Sequence, residues 1–200
     1  MTPSRLVRAA GAMLFVAGAV ILMGIISAEA LYPAPYTTGG NEISDLGGTE
    51  PPAAVVLQPS ATIFNLTMMA AGVLVLAGAA CLQPGLRRWS ISLVVAAMGA
   101  GALGVGVFPG NTGGIHALFA MLAFAGGGLA AIVTARATRP PFRYLSVTLG
   151  VISLGSLLSY VLMGEGTPLM PLGIGGVERW VAYPIVIWVT GFGGYLSART

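Results

Sequence analysis

Asp45 and His116 are the two residues of this chain whose types suit proton transfer. A carboxylate and an imidazole within hydrogen-bond reach of a substrate can act as general acid and base near neutral pH. Asp45 lies in "NEISDLGG", residues 41–48, beside Asn41 and Ser44, and His116, the single histidine, follows "FPGNTGG", which contains Asn111. Glu29, Glu178 and Arg179 form a second group. The planar fork of Arg179 suits a phosphate or carboxylate headgroup, whereas a Glu29–Arg179 contact would be a purely structural use of both. Asp45 and His116 are thus the candidate catalytic pair, and Asn41, Ser44, Asn111, Glu29, Glu178 and Arg179 the candidate ligand-binding residues. One histidine and one cysteine, Cys81, cannot make a multi-histidine or thiolate metal centre, so neither metal nor cofactor is expected.

The elements that must position these residues follow from composition. With 56% apolar and only 8% charged residues, the chain lies far from the roughly 25% charged residues of soluble domains. Six apolar runs reach the roughly 20 residues that cross a hydrocarbon core: Val7 to Leu31, Ala61 to Gln83, Trp89 to Phe108, Ile115 to Ala135, Tyr144 to Met163 and Trp180 to Ser197. Backbone in lipid must satisfy its own hydrogen bonds, and the alternation of a barrel strand is absent, so the runs are helices. The expected fold is all-α: a polytopic membrane protein with six transmembrane helices in one compact bundle. Residues 1–200 form one domain, and residues 32–60 form a long loop between the first two helices. Arg5 and Arg8 before an apolar run that ends at Ala28-Glu29-Ala30 imitate a secretory signal, but the run exceeds the 7 to 15 residues of a signal core and reads as a retained helix.

The arginines set the orientation. The chain has no lysine. Arg5, Arg8, Arg87, Arg88, Arg136, Arg139, Arg143 and Arg199 all fall on one side of the six spans, which the positive-inside rule makes cytoplasmic together with both termini. Arg179 alone falls on the other side. Glu29, Glu42, Asp45, Glu50, Glu165 and Glu178 join it there, an independent segregation of acids. The net charge of +3 is therefore a matter of topology anchors in short loops, and with no basic stripe a nucleic-acid partner is excluded.

Glycine is abundant, with 30 residues. Gly99, Gly101 and Gly104 spell G-x-G-x-x-G, but the dinucleotide fingerprint needs a strand before it and a helix after it, and this stretch lies inside an apolar run. Small residues spaced by four, such as Ala97 with Gly101, Ala102 with Gly106, and Ala123 with Gly127 and Ala131, instead let membrane helices approach closely. "AMLFVAG" at 12–18 and "AMLAFAG" at 120–126 are alike, but in so Ala- and Leu-rich a chain this is no repeat. No nucleophile elbow, H-E-x-x-H, Walker sequence or cysteine pair is present.

"NEISDLGG", the following Pro59 and Phe64-Asn65, "GVGVFPGN" and His116 resemble the bacterial and archaeal membrane family called domain of unknown function 998, over most of the chain. The resemblance implies six helices with the Ser-Asp-Leu-Gly motif between the first two. Where the family often carries an acid two residues after the Phe-Pro pair, this chain has Asn111. Three readings of Asp45 stand side by side: an anchor that accepts backbone N–H groups, a buried carboxylate of an outer cavity, or part of an inert exposed loop. Three function classes follow in order. A noncatalytic lipid-binding protein or accessory subunit of a membrane assembly comes first, with membrane lipids and protein subunits as partners. An outer-leaflet lipid-processing enzyme using Asp45 and His116 is second, and a small transporter third, since spans two to five hold no ionisable residue in their middles.

Overall fold

The computed structural model describes residues 2–198, so Arg199 lies outside the described residues. Helices α1 (Pro3–Ala30), α2 (Ser60–Leu86), α3 (Trp89–Val107), α4 (Gly114–Thr134), α5 (Phe142–Met163) and α6 (Gly173–Ser197) account for most of the chain, and no strand occurs among the described residues. All six helical regions are long and apolar enough to span a membrane. Each helix packs against its neighbours in sequence, and α6 closes the ring onto α1.

Packing differs between the two ends of the bundle. At the end holding the chain termini, Leu14, Leu82, Ile91, Trp188, Phe192 and Leu196 are fully buried among one another. The Trp188 indole donates to the Ser146 hydroxyl at 2.8 Å, which satisfies the one polar atom of that ring. Arg143 donates to the carbonyls of Ala135 and Thr138 at the end of α4, a cation placed where a helix leaves carbonyls unpaired. At the other end the core is capped by chain from outside the helices: Ile43 and Leu46 of the first loop are buried against Ile25, Ala28, Phe64 and Val105.

The structure moves one boundary. Residues 173–179 read as loop because Gly173, Gly175 and Gly176 look like breakers, yet α6 begins at Gly173 and carries Glu178 and Arg179 in its second turn. Gly175 is there for contact. A Cβ at that position would overlap the carbonyl oxygen of Asn41, so the glycine lets the first loop lie directly on the helix backbone.

Candidate functional site

The first loop is the roof of the site, and its residues show how it is held. Ser44, Asp45 and Leu46 form a single 3-10 turn. Leu46 and Ile43, three apart on that turn, point into the bundle with 0% and 4% exposure, so the polar motif is pegged by its two apolar members. The Asp45 carboxylate folds back on the loop itself, accepting from the Glu42 amide at 3.0 Å and from the Asn41 side chain at 3.4 Å.

Adjacent residues of α6 clasp the loop with complementary chemistry. Arg179 donates to the carbonyls of Thr38 (2.8 Å) and Asn41 (2.9 Å) and to Gly175 of its own helix (3.0 Å). Its second terminal nitrogen reaches Glu29 of α1 at 2.6 Å and the Tyr36 hydroxyl at 2.9 Å. That hydroxyl passes the connection on by donating to the Glu42 carbonyl at 2.8 Å, and burial pushes the phenol's pKa up. Glu178 takes the opposite role and accepts the Ile43 amide. Cation and carboxylate thus satisfy loop carbonyls and a loop amide that would otherwise be buried unpaired. The terminal nitrogens of Arg179 are all engaged by protein acceptors, while its Nε is buried without a partner among the described residues.

The remaining ties come from α2 and the α3–α4 corner. Ser60 donates to the Leu46 carbonyl at 3.1 Å and Asn65 to the Gly47 carbonyl at 3.3 Å. "NEISDLGG" and "FPGN" do meet, through their glycines: a Cβ on Gly110 would overlap the Gly48 carbonyl oxygen, and one on Gly48 would come within 2.9 Å of the Asn111 side-chain oxygen. Among the described residues no hydrogen bond joins Asp45 to His116. His116, on the first turn of α4, is 3% exposed and bonds through Nδ1 to the Phe108 carbonyl at 2.8 Å. A carbonyl only accepts, so Nδ1 carries a proton and Nε2 is the acceptor in the neutral ring. Among the described residues, Nε2 has no protein partner.

Beneath this roof lies a cavity with two chambers. The wider, of about 170 Å³, is lined by Glu42, Ser44, Glu50, His116, Tyr160 and Glu178 on its polar side. Ser44, His116, Ala120, Phe124 and Glu178 also line an adjoining apolar chamber of about 80 Å³ that reaches Met68, Val75, Met98 and Val189. One water needs only roughly 10–15 Å³ on this measure, so each chamber exceeds a single water several-fold. The lining of the wider chamber includes Met121 of α4 and Val161 of α5, which are 43% and 54% exposed. Of the sequence candidates, Ser44, His116 and Glu178 face this space. Asn41, Asp45, Asn111, Glu29 and Arg179 instead hold its roof and walls.

The geometry stands beside one match to known proteins: a family model described as protein of unknown function (DUF998) covers residues 5–195. The chain belongs to the DUF998 family. No curated protein and no solved structure matches it. Among the carboxylates of this DUF998 chain, the sequence points to Asp45, Glu29 and Glu178 as site candidates. Glu42 and Glu50 were not singled out, and the signal that could have found them is that the acids flanking the buried Ile43-Leu46 pegs must stand at the rim of whatever the pegs cover. Burial, then the nearby Asp45 and Glu50, push the Glu42 carboxyl up to about 7, because desolvation and like charge both disfavour its ionised form.

Proposed function

We propose that this protein is a noncatalytic, multi-pass cell-membrane protein that binds the chain of a membrane amphiphile, alone or as an accessory subunit of a larger membrane assembly. The observation that carries the reading is the pair of adjoining chambers, polar under the loop and apolar below, with the exposed Met121 and Val161 in the lining of the polar one. Ligand sites are mostly apolar concavities with a few placed polar groups, and an apolar void left empty forfeits the dispersion contacts of its lining. Ala120 lines both chambers, so Ala120→Phe projects a ring into the space where they adjoin. Native mass spectrometry of protein released from mild detergent is expected to show bound amphiphile on the parent and none on Ala120→Phe at an unchanged melting midpoint. Equal retention by both would place the lipid on the outer surface and overturn the reading.

The orientation belongs to the same proposal. The arginine segregation supports cytoplasmic termini and a cavity mouth in the outer half of the membrane. In a Cys81→Ser background, Ala53→Cys in the first loop is expected to react with an impermeant thiol reagent on intact cells, while Ser90→Cys at the start of α3 is not. The reverse labelling would invert the protein.

An enzyme using His116 is the second reading, favoured by the unpartnered Nε2 in a chamber lined by carboxylates. Asp45, turned onto the loop backbone, would then serve as a positioning residue while Glu178 or Glu42 faces the imidazole.

A further inference from the structure

Resting on the amphiphile reading above, we propose that the wider chamber selects the head of a single-chain cationic amphiphile, an alkyl- or acyl-linked ammonium, between Glu42, Glu50, Glu178 and His116, with its tail in the apolar chamber. The lining is one-sided in charge. Glu42, Glu50 and Glu178 contribute to it and, among the described residues, no arginine does. The nearest cation, Arg179, spends its terminal nitrogens on Glu29, Tyr36 and three backbone carbonyls.

Three carboxylates alone would describe a hydrated rim. The second observation is His116: the residue is 3% exposed and lines the chamber, its Nδ1 proton is spent on Phe108, and among the described residues no protein group donates to its Nε2. An acceptor that faces the chamber without a protein donor is matched by a ligand that brings one. An ammonium brings two or three N–H donors and a charge of the right sign. A phosphate or carboxylate head would bring acceptors to acceptors and negative charge to negative charge, a mismatch that costs affinity. A nearby cation also stabilises the ionised form of Glu42, the form that burial and its acidic neighbours now disfavour.

The full-length protein in neutral-detergent micelles can be titrated with decylammonium, 1-decanol and decyl phosphate below their own micellar concentrations, with butylammonium as a head-only control. Decylammonium is expected to bind about tenfold more tightly than decanol, the scale of one charge-assisted hydrogen bond, and decyl phosphate more weakly than either. The preference should vanish in Glu42→Gln/Glu50→Gln, whose substitutions leave the loop's backbone bonds intact, while decanol binding persists there. All binding should be lost in Ala120→Phe. Equal affinity for decylammonium and decanol, both lost in Ala120→Phe, would overturn the headgroup inference and leave the amphiphile reading standing. A preference for phosphate, or an ammonium preference that survives the double glutamine variant, would overturn it as well. Absence of any chain-length-dependent binding would overturn both.

Discussion

Arg179→Met is expected to destabilise the folded protein by about 3–5 kcal/mol, the cost of removing one partner of a buried ion pair. The side chains of Arg179 and Glu29 are 9% and 24% exposed, so the stranded carboxylate cannot simply be rehydrated in place. The same change frees the carbonyls of Thr38 and Asn41 and the Tyr36 hydroxyl. Methionine keeps much of the apolar stem, which isolates the guanidinium. Arg179→Lys should recover little, because one ammonium cannot reach carbonyls, carboxylate and phenol with the geometry of a planar fork. Glu29→Gln should cost less than either, since its amide oxygen still accepts from Arg179. Denaturant unfolding in mixed micelles measures the order, and limited proteolysis within residues 37–59 reports whether the loop leaves the bundle. Equal stability of Arg179→Met and the parent would mean that the pegs Ile43 and Leu46 hold the roof without the clasp.

That expectation also marks the division between what sequence could say and what it could not. The six spans are legible because lipid leaves the chain no alternative to long apolar helices, and only the start of α6 is misplaced. There "GIGG" has the composition of a turn, and its meaning as a contact surface depends on Asn41, which arrives from the other end of the chain. Within "NEISDLGG" the polar letters attract attention, yet the fold reads Ile43 and Leu46, whose three-residue spacing in an otherwise polar loop was the available sign of a buried turn.

Pairing was the illegible part. Six acids and Arg179 could be assigned to one end of the bundle, but nothing local tells Glu178 to accept the Ile43 amide, 135 residues away, or Asp45 to turn back on residue 42. Such contacts are selected by which backbone groups the helix ends bring within reach. The assignment of His116 to a cavity shared with Glu178 in place of Asp45 follows from α4 and α6 both bordering the interior, a relation of the closed ring that the order of the spans does not specify.

Gly101→Leu is expected to be the most damaging single substitution in the membrane-spanning part, and it tests whether the ring is as tight as its glycines imply. A Cβ on Gly101 would overlap the backbone nitrogen and Cα of Ala123 on α4. Backbone cannot move aside as a rotamer does, so the overlap can be relieved only by prising α3 from α4. Overpacking in a close-fitting core costs about 1–3 kcal/mol even where side chains can adjust, and here the loss should exceed that range and abolish accumulation of folded protein. Gly104→Leu meets the Phe119 ring instead, which can turn, so its loss should be smaller. Gly155→Leu is the control: nothing lies within 4 Å of a Cβ there, and the variant should match the parent within about 1 kcal/mol, the gain from helix propensity included. The cavity gives the test a second readout, because Ala102 and Ala123 line it from the same two helices. A Gly101→Ala variant that still folds should therefore bind decanol more weakly, whereas Gly155→Ala should not. If Gly101→Leu and Gly155→Leu unfold alike, α3 and α4 cross further apart than the small-residue contact requires, and the shape of the apolar chamber between them falls with it.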